Sequence, residues 1–148
     1  MGKLWAARFR ETDLEMTSMT AKGSCLCGAV AFEVDTPFVR FVHCHCSRCR
    51  KATGTAHATN AVVKAEALRW LRGEELITRY DLPTARSFAT CFCRQCGSPL
   101  PHLTRSGIEA IIPAGSFDDS LDQRPEKHFH WSSRAGWYTF ATDLPTDR

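Results

Sequence analysis

Cys44, Cys46 and Cys49 place three thiols within the short stretch Val42–Lys51, V-H-C-H-C-S-R-C-R-K, with His43 and His45 interleaved. This spacing suits metal ligation better than a protein core. Thiolates favour zinc, and one loop can offer several sulfurs while ordering little extra chain. Two half-sites flank this centre. C-x-C-G at Cys25 and Cys27 and C-x-x-C-G at Cys93 and Cys96 are each too small to hold zinc alone. Together they complete a four-cysteine tetrahedron that ties the first part of the chain to its middle. All four flank turn glycines, Gly28 and Gly97, and not apolar strand centres, which argues against four core thiols.

The central set is one ligand short of a closed site, and two readings follow. Cys91 or a nearby histidine closes it into a second structural knot, or its fourth position is open. An open position takes a substrate thiol and holds it as thiolate near neutral pH. Cys91 lies two residues before Cys93, so on a strand it shares that face and also reads as a buried neighbour of the first site. His45 sits between two ligands, and its imidazole either orients them or faces the pocket. His57, His102, His128 and His130 read as surface or hydrogen-bonded groups. Arg50 and Lys51 read as solvated charges that can also meet a carboxylate. Trp131, Trp137 and Tyr138 read as core or pocket wall.

The elements that must carry these residues are short. Ala29–Asp35, Phe38–Cys44, Thr55–Lys64 and Glu75–Tyr80 read as strands from their alternation and their β-branched or aromatic content. Leu68–Leu71 precedes a turn at Gly73, and Ala85–Phe92 runs into the second knuckle. Leu100–Thr104 and Ile108–Ala114 form a hairpin across Ser106-Gly107. Cys46–Thr53 makes one short helical turn that Gly54 stops. Many short strands between Gly and Pro turns predict a mainly β, mostly antiparallel domain over residues 21–148. Residues 1–20 lack strand patterning and read as a loosely held extension. The tail from Asp118 onward has little periodicity.

A chain of 148 residues with 43% apolar and 24% charged residues can bury a core without cross-links. A net charge of +3 with no basic block does not suggest nucleic acid, and no apolar run approaches membrane-spanning length. Eight cysteines without a secretory pattern point to metal or catalytic thiols in the cytoplasm, not disulfides.

G-S-C-x-C-G-A-V, C-H-C-x-x-C-R-K-x-x-G, F-C-x-x-C-G-S-x-L and a late H-F-H-W-S-S-R-x-x-W-Y occur in that order. From about Gly23 to Tyr138 this set resembles the glutathione-dependent formaldehyde-activating enzyme family, whose eukaryotic relatives include a centromere protein. The resemblance implies a β-tent fold of the Mss4-like kind. It also implies a zinc on Cys25, Cys27, Cys93 and Cys96 and a second on Cys44, Cys46 and Cys49. The implied activity is that of a carbon–sulfur lyase, an S-(hydroxymethyl)glutathione synthase joining glutathione or a similar thiol to formaldehyde or another small aldehyde. Cys44, Cys46, Cys49 and His45 are then the catalytic candidates. Cys91 has no counterpart in the family pattern, and the N-terminal extension lies outside it. A non-catalytic, zinc-stabilised binding module is the alternative. Nucleic-acid binding, which the centromere relative suggests, is opposed by the modest charge.

Overall fold

The structure, a computed structural model, describes residues 19–138 and 144–147. Its described part is mainly β, arranged in three small sheets. β1 (Met19–Ser24), β2 (Ala31–Thr36) and β5 (Leu68–Arg72) form the first, with β2 central and both pairings antiparallel. The second takes the order β11 (Lys127–Phe129), β3 (Arg40–Cys44), β4 (Ala58–Lys64), β10 (Glu109–Pro113) and β9 (His102–Leu103). β6 (Ile77–Asp81), β7 (Ala89–Cys93) and β8 (Pro99–Leu100) make the third. The one regular helix among the described residues, α1 (Ser47–Thr53), follows β3 directly.

Alternating side chains on these strands meet in one core, where Val30, Phe32, Val34, Phe41, Val63, Leu100 and Ile112 are buried together. Phe32 is its aromatic hub, edge-on to Trp70 at 6.0 Å and to Phe117 at 5.9 Å between ring centroids. Gly23 on β1 lies so close to the Phe32 ring and the Ser116 carbonyl that a Cβ has no space there. That close approach explains a glycine inside a strand.

Two elements depart from the sequence expectation. β1 begins at Met19 and pairs Met19 with Thr36 and Thr20 with Asp35, so the last two residues assigned to the extension are strand. Residues 1–18 of that extension lie outside the described residues. M-T-A-K-G-S has no apolar alternation, and only Ala21 and Gly23 in it are buried. The aperiodic tail supplies β11, which pairs parallel with β3 and matches His128 to His43 and Phe129 to Cys44. The sheet is therefore mixed. The hairpin across Gly107 forms as expected, with Ile111 opposite His102. Among the described residues no helix is long and apolar enough to cross a membrane.

Candidate metal centres and active-site cleft

The first cysteine set is assembled by two similar turns. In the first, Cys25 N–H donates to the Val30 carbonyl and Gly28 N–H donates to the Cys25 carbonyl at 2.9 Å. In the second, Gly97 N–H donates to the Cys93 carbonyl at 2.7 Å. Each ends on a glycine in the left-handed region, Gly28 and Gly97, both at φ 74. Glycine populates that region without a Cβ penalty, so both knuckles can close tightly around their sulfurs. Sγ of Cys25 and Cys27 lie 3.5 Å apart, and those of Cys27 and Cys93 3.9 Å. A tetrahedral zinc with Zn–S bonds of about 2.3 Å needs sulfur–sulfur edges of about 3.8 Å, so the cage fits this ion. The Val30 N–H points at Cys25 Sγ at 3.3 Å, and Ser98 Oγ lies 3.3 Å from Cys96 Sγ. Such contacts spread thiolate charge and orient the ligands.

The second set sits where β3 ends and α1 begins. Cys46 is the N-cap of α1, its sulfur accepting the Cys49 N–H at 3.4 Å, while Gly54 at φ 70 ends the helix. The ligand atoms of Cys44, Cys46 and Cys49 all lie within 4.8 Å of one another. Among the described residues no fourth histidine, cysteine or carboxylate joins them. Hydrogen bonding from Cys49 draws the Cys44 thiol well below its ordinary range, and the same contact, with burial, pushes Cys49 up. Three soft donors, one of them shedding its proton readily, suit a thiophilic cation such as zinc. Cys91 belongs to neither set. It is buried, and burial raises its pKa, as suits a structural thiol.

Beside this set lies an imidazole cluster that the sequence did not announce. His45 Nε2 is 2.8 Å from His128 Nδ1, and the ring packs near His57, Trp131 and Tyr138 at centroid distances of 5.0 to 5.1 Å. His43 Nδ1 meets Thr59 Oγ1 at 2.9 Å, and the same hydroxyl lies 3.2 Å from His57 Nδ1. Burial comes first among the causes that hold His43, His45 and His57 below the usual histidine range. All three are then neutral at pH 7. Strand pairing assembles this cluster. β3 and β4 set His43 opposite Thr59, and β11 brings His128 beside His43.

A cleft of about 1020 Å³ reaches both cysteine sets, with Cys25 from one and Cys49 from the other in its wall. His57, just before β4, and Thr59 and Asn60 on β4 line it, as do His102, Cys91 and the Ser87-Phe88 loop. That loop is held by Arg105, whose guanidinium donates to the carbonyls of Ala85 at 2.7 Å and Leu82 at 2.9 Å.

These positions revise several expectations. His45 is completely buried and is not among the described residues that line the cleft. His57, read from sequence as a surface or hydrogen-bonded group, meets the Thr59 hydroxyl and shares the cleft wall with Cys49 and His102. His102 and His128 also lie in built environments. Arg50 Nε donates to the His45 carbonyl at 3.4 Å, which leaves its terminal guanidinium N–H groups for another acceptor, and Lys51 is exposed. Trp131 and Tyr138 pack on His45 as expected, but Trp137 is 70% exposed and part of no core. The strand expected over Thr55–Lys64 begins only at Ala58, so Thr55 and His57 lie in the bend after α1 and only Thr59 is set by the β3–β4 register.

A small β protein whose two cysteine clusters can each hold a metal ion, one closed by four sulfurs and one built from three, defines the class. The sequence profile of "Glutathione-dependent formaldehyde-activating enzyme" matches residues 20–133, and the chain belongs to that family. A Halomonas elongata protein named "Putative glutathione-dependent formaldehyde-activating enzyme" is 33% identical over 130 residues, covering 80% of each chain. The crystal structure of a Rhodobacter sphaeroides protein superposes with a TM-score of 0.56 at 34% identity, over 68% of this chain and 91% of that one.

Proposed function

We propose that the protein joins a thiol to a small aldehyde at the Cys44/Cys46/Cys49 centre. The reaction would be that of a carbon–sulfur lyase of the S-(hydroxymethyl)glutathione synthase type, with glutathione and formaldehyde as the reference pair. The observation that carries this reading is the three-sulfur cluster. It has no fourth ligand among the described residues and presents Cys49 to a cleft large enough for a substrate. The chain is proposed to hold two zinc ions, and one catalytic domain to run from β1 to residue 148 with residues 1–18 outside it.

Zinc on the three cysteines would hold a substrate thiol as thiolate beside the cleft. His57, neutral and in the same wall, takes the thiol proton. The sulfur lone pair forms a bond to the aldehyde carbon while the carbonyl π pair moves to oxygen. His57 returns its proton to that oxygen, giving the hydroxyalkyl thioether with no net proton change. The Thr59 hydroxyl fixes the His57 ring from one side. His45 is a positioning residue. Its N–H donates to the Phe129 carbonyl at 2.9 Å, and its buried ring fills the space behind the ligand loop.

The test substitutes cobalt for zinc and adds thiols while following the thiolate-to-cobalt absorption band. NMR exchange spectroscopy then measures thiol–formaldehyde interconversion against the spontaneous rate. A band shift and acceleration that His57→Ala reduces about 10²-fold or more are expected. No response to any thiol would instead favour a zinc-stabilised binding module.

A further inference from the structure

The wall of the cleft is nearly free of fixed charge. Asp118 is the one ionic side chain among the described residues that line it, and Ser24 Oγ donates to its carboxylate oxygens at 2.8 and 3.1 Å. No described lysine or arginine is in the wall. Three nearby cations are committed elsewhere: Arg79 to Asp81 and the Leu103 carbonyl, Arg105 to the 82–88 loop, and Arg72 to the Gly28 carbonyl, while Arg86, next to the wall residue Ser87, is exposed and outside the lining. Arg48 and Lys51 on α1 are exposed and outside the lining. The two imidazoles present, His57 and His102, are both depressed by burial, His102 to about 4. What remains is neutral and apolar, with Thr55, Asn60 and Thr90 beside Phe88, Leu100 and Ile111.

Glutathione is a poor match to such a surface. Its carboxylates would lie against a wall without a cation, next to Asp118 and near a metal centre that three thiolates make net negative. A carboxylate set against this wall meets neutral hydroxyl and amide donors but no cation, and these offset less of its desolvation cost. Size does not decide the matter, because about 1020 Å³ is at the top of the roughly 300–1,000 Å³ usual for small-molecule sites. Resting on the thiol–aldehyde reading above, we infer that this cleft selects an uncharged thiol with an aromatic or branched apolar body, in place of a carboxylate-bearing peptide thiol. The apolar body lies along Phe88, Leu100 and Ile111, and the sulfur reaches the position beside Cys49. The bond changes are those already given.

The full-length, cobalt-substituted protein is titrated at pH 7.5 with benzyl mercaptan, glutathione and cysteamine, and dissociation constants are read from the thiolate-to-cobalt band. Benzyl mercaptan is expected to bind about tenfold or more tighter than glutathione. A second arm uses Gly115→Lys. Gly115 lines the cleft and a Cβ there meets nothing within 4 Å, so a cation is added without a clash. Glutathione should gain roughly two- to fivefold and benzyl mercaptan should not change. Glutathione or cysteamine binding as tightly as benzyl mercaptan would overturn the substrate class alone, and so would unchanged glutathione affinity in Gly115→Lys. Silence toward all three thiols would remove the open metal position, and this inference with it.

Discussion

Replacing His102 by glutamine should make the protein less sensitive to acid. His102 sits on β9 in the cleft wall, and burial, followed by the positive charge of Arg79, lowers its pKa from 6.5 to about 4, with Asp81 opposing. Between those values the unfolded chain binds a proton that the folded chain refuses. The contribution of His102 is therefore complete above pH 6.5, falls away as the pH drops toward 4, and is constant below. At pH 5.0 the two values, 6.5 and about 4, correspond to a loss of about 2 kcal/mol, or about 1–2 kcal/mol once partial exposure of the ring is allowed for. Urea unfolding of wild type and His102→Gln at pH 7.5 and 5.0 gives four free energies. Metal loss and protonation of His43, His45 and His57 occur in both proteins and cancel in the double difference. Wild type should lose about 1–2 kcal/mol more than the variant on acidification. Equal losses, within about 0.3 kcal/mol, would show that His102 accepts a proton in the folded protein and would refute the reasoning.

Elemental analysis should find two zinc ions per chain, as the four- and three-sulfur groups require. Cys96→Ala should be insoluble because it opens the cage joining distant segments, whereas Cys46→Ala should stay soluble and retain one zinc; equal collapse would contradict that division. Gly73→Ala should lower stability by at least about 1–2 kcal/mol, since Gly73 has φ 74 and a Cβ there would strike the Ala29 carbonyl; thermal melts of both proteins measure it. A chain starting at Met19 should match the full chain in melting temperature and zinc content. A drop of several degrees would show that residues 1–18 add stability.

Much of the scaffold was legible because its signals are local. The alternation of Ala29–Asp35, the Gly107 turn between two strands, and the run from Cys46 to Gly54 all specify structure within a few residues. The cysteine pairing was legible for a different reason, since ligand number and spacing limit which sulfurs can share an ion. β1 escaped detection because its stability comes from pairing with β2 and from Gly23 fitting beneath Phe32, and neither leaves a trace in M-T-A-K-G-S. β11 escaped because a three-residue edge strand is too short for periodicity to register. The site suffered most where placement in the fold decides the chemistry. His45 adjoins two ligands in sequence yet is sealed in the interior, while His57, eight residues beyond Cys49, lies in the bend just before β4 and lines the cleft.

The parallel pairing of β11 with β3 also fixes an order of events on a chain made from its N-terminus. Cys44, Cys46 and Cys49 emerge long before Lys127–Phe129, whose backbone completes the sheet behind them and accepts the His45 N–H. Cys25 and Cys27 likewise wait for Cys93 and Cys96. Before Cys93 emerges, five of the ligand thiols lie on a nascent segment without their final neighbours, open to oxidation and to adventitious metals. Pairing across such sequence distances is slow. The supply of zinc and reductant during synthesis, more than the stability of the finished fold, should therefore govern how much correctly loaded protein a cell obtains.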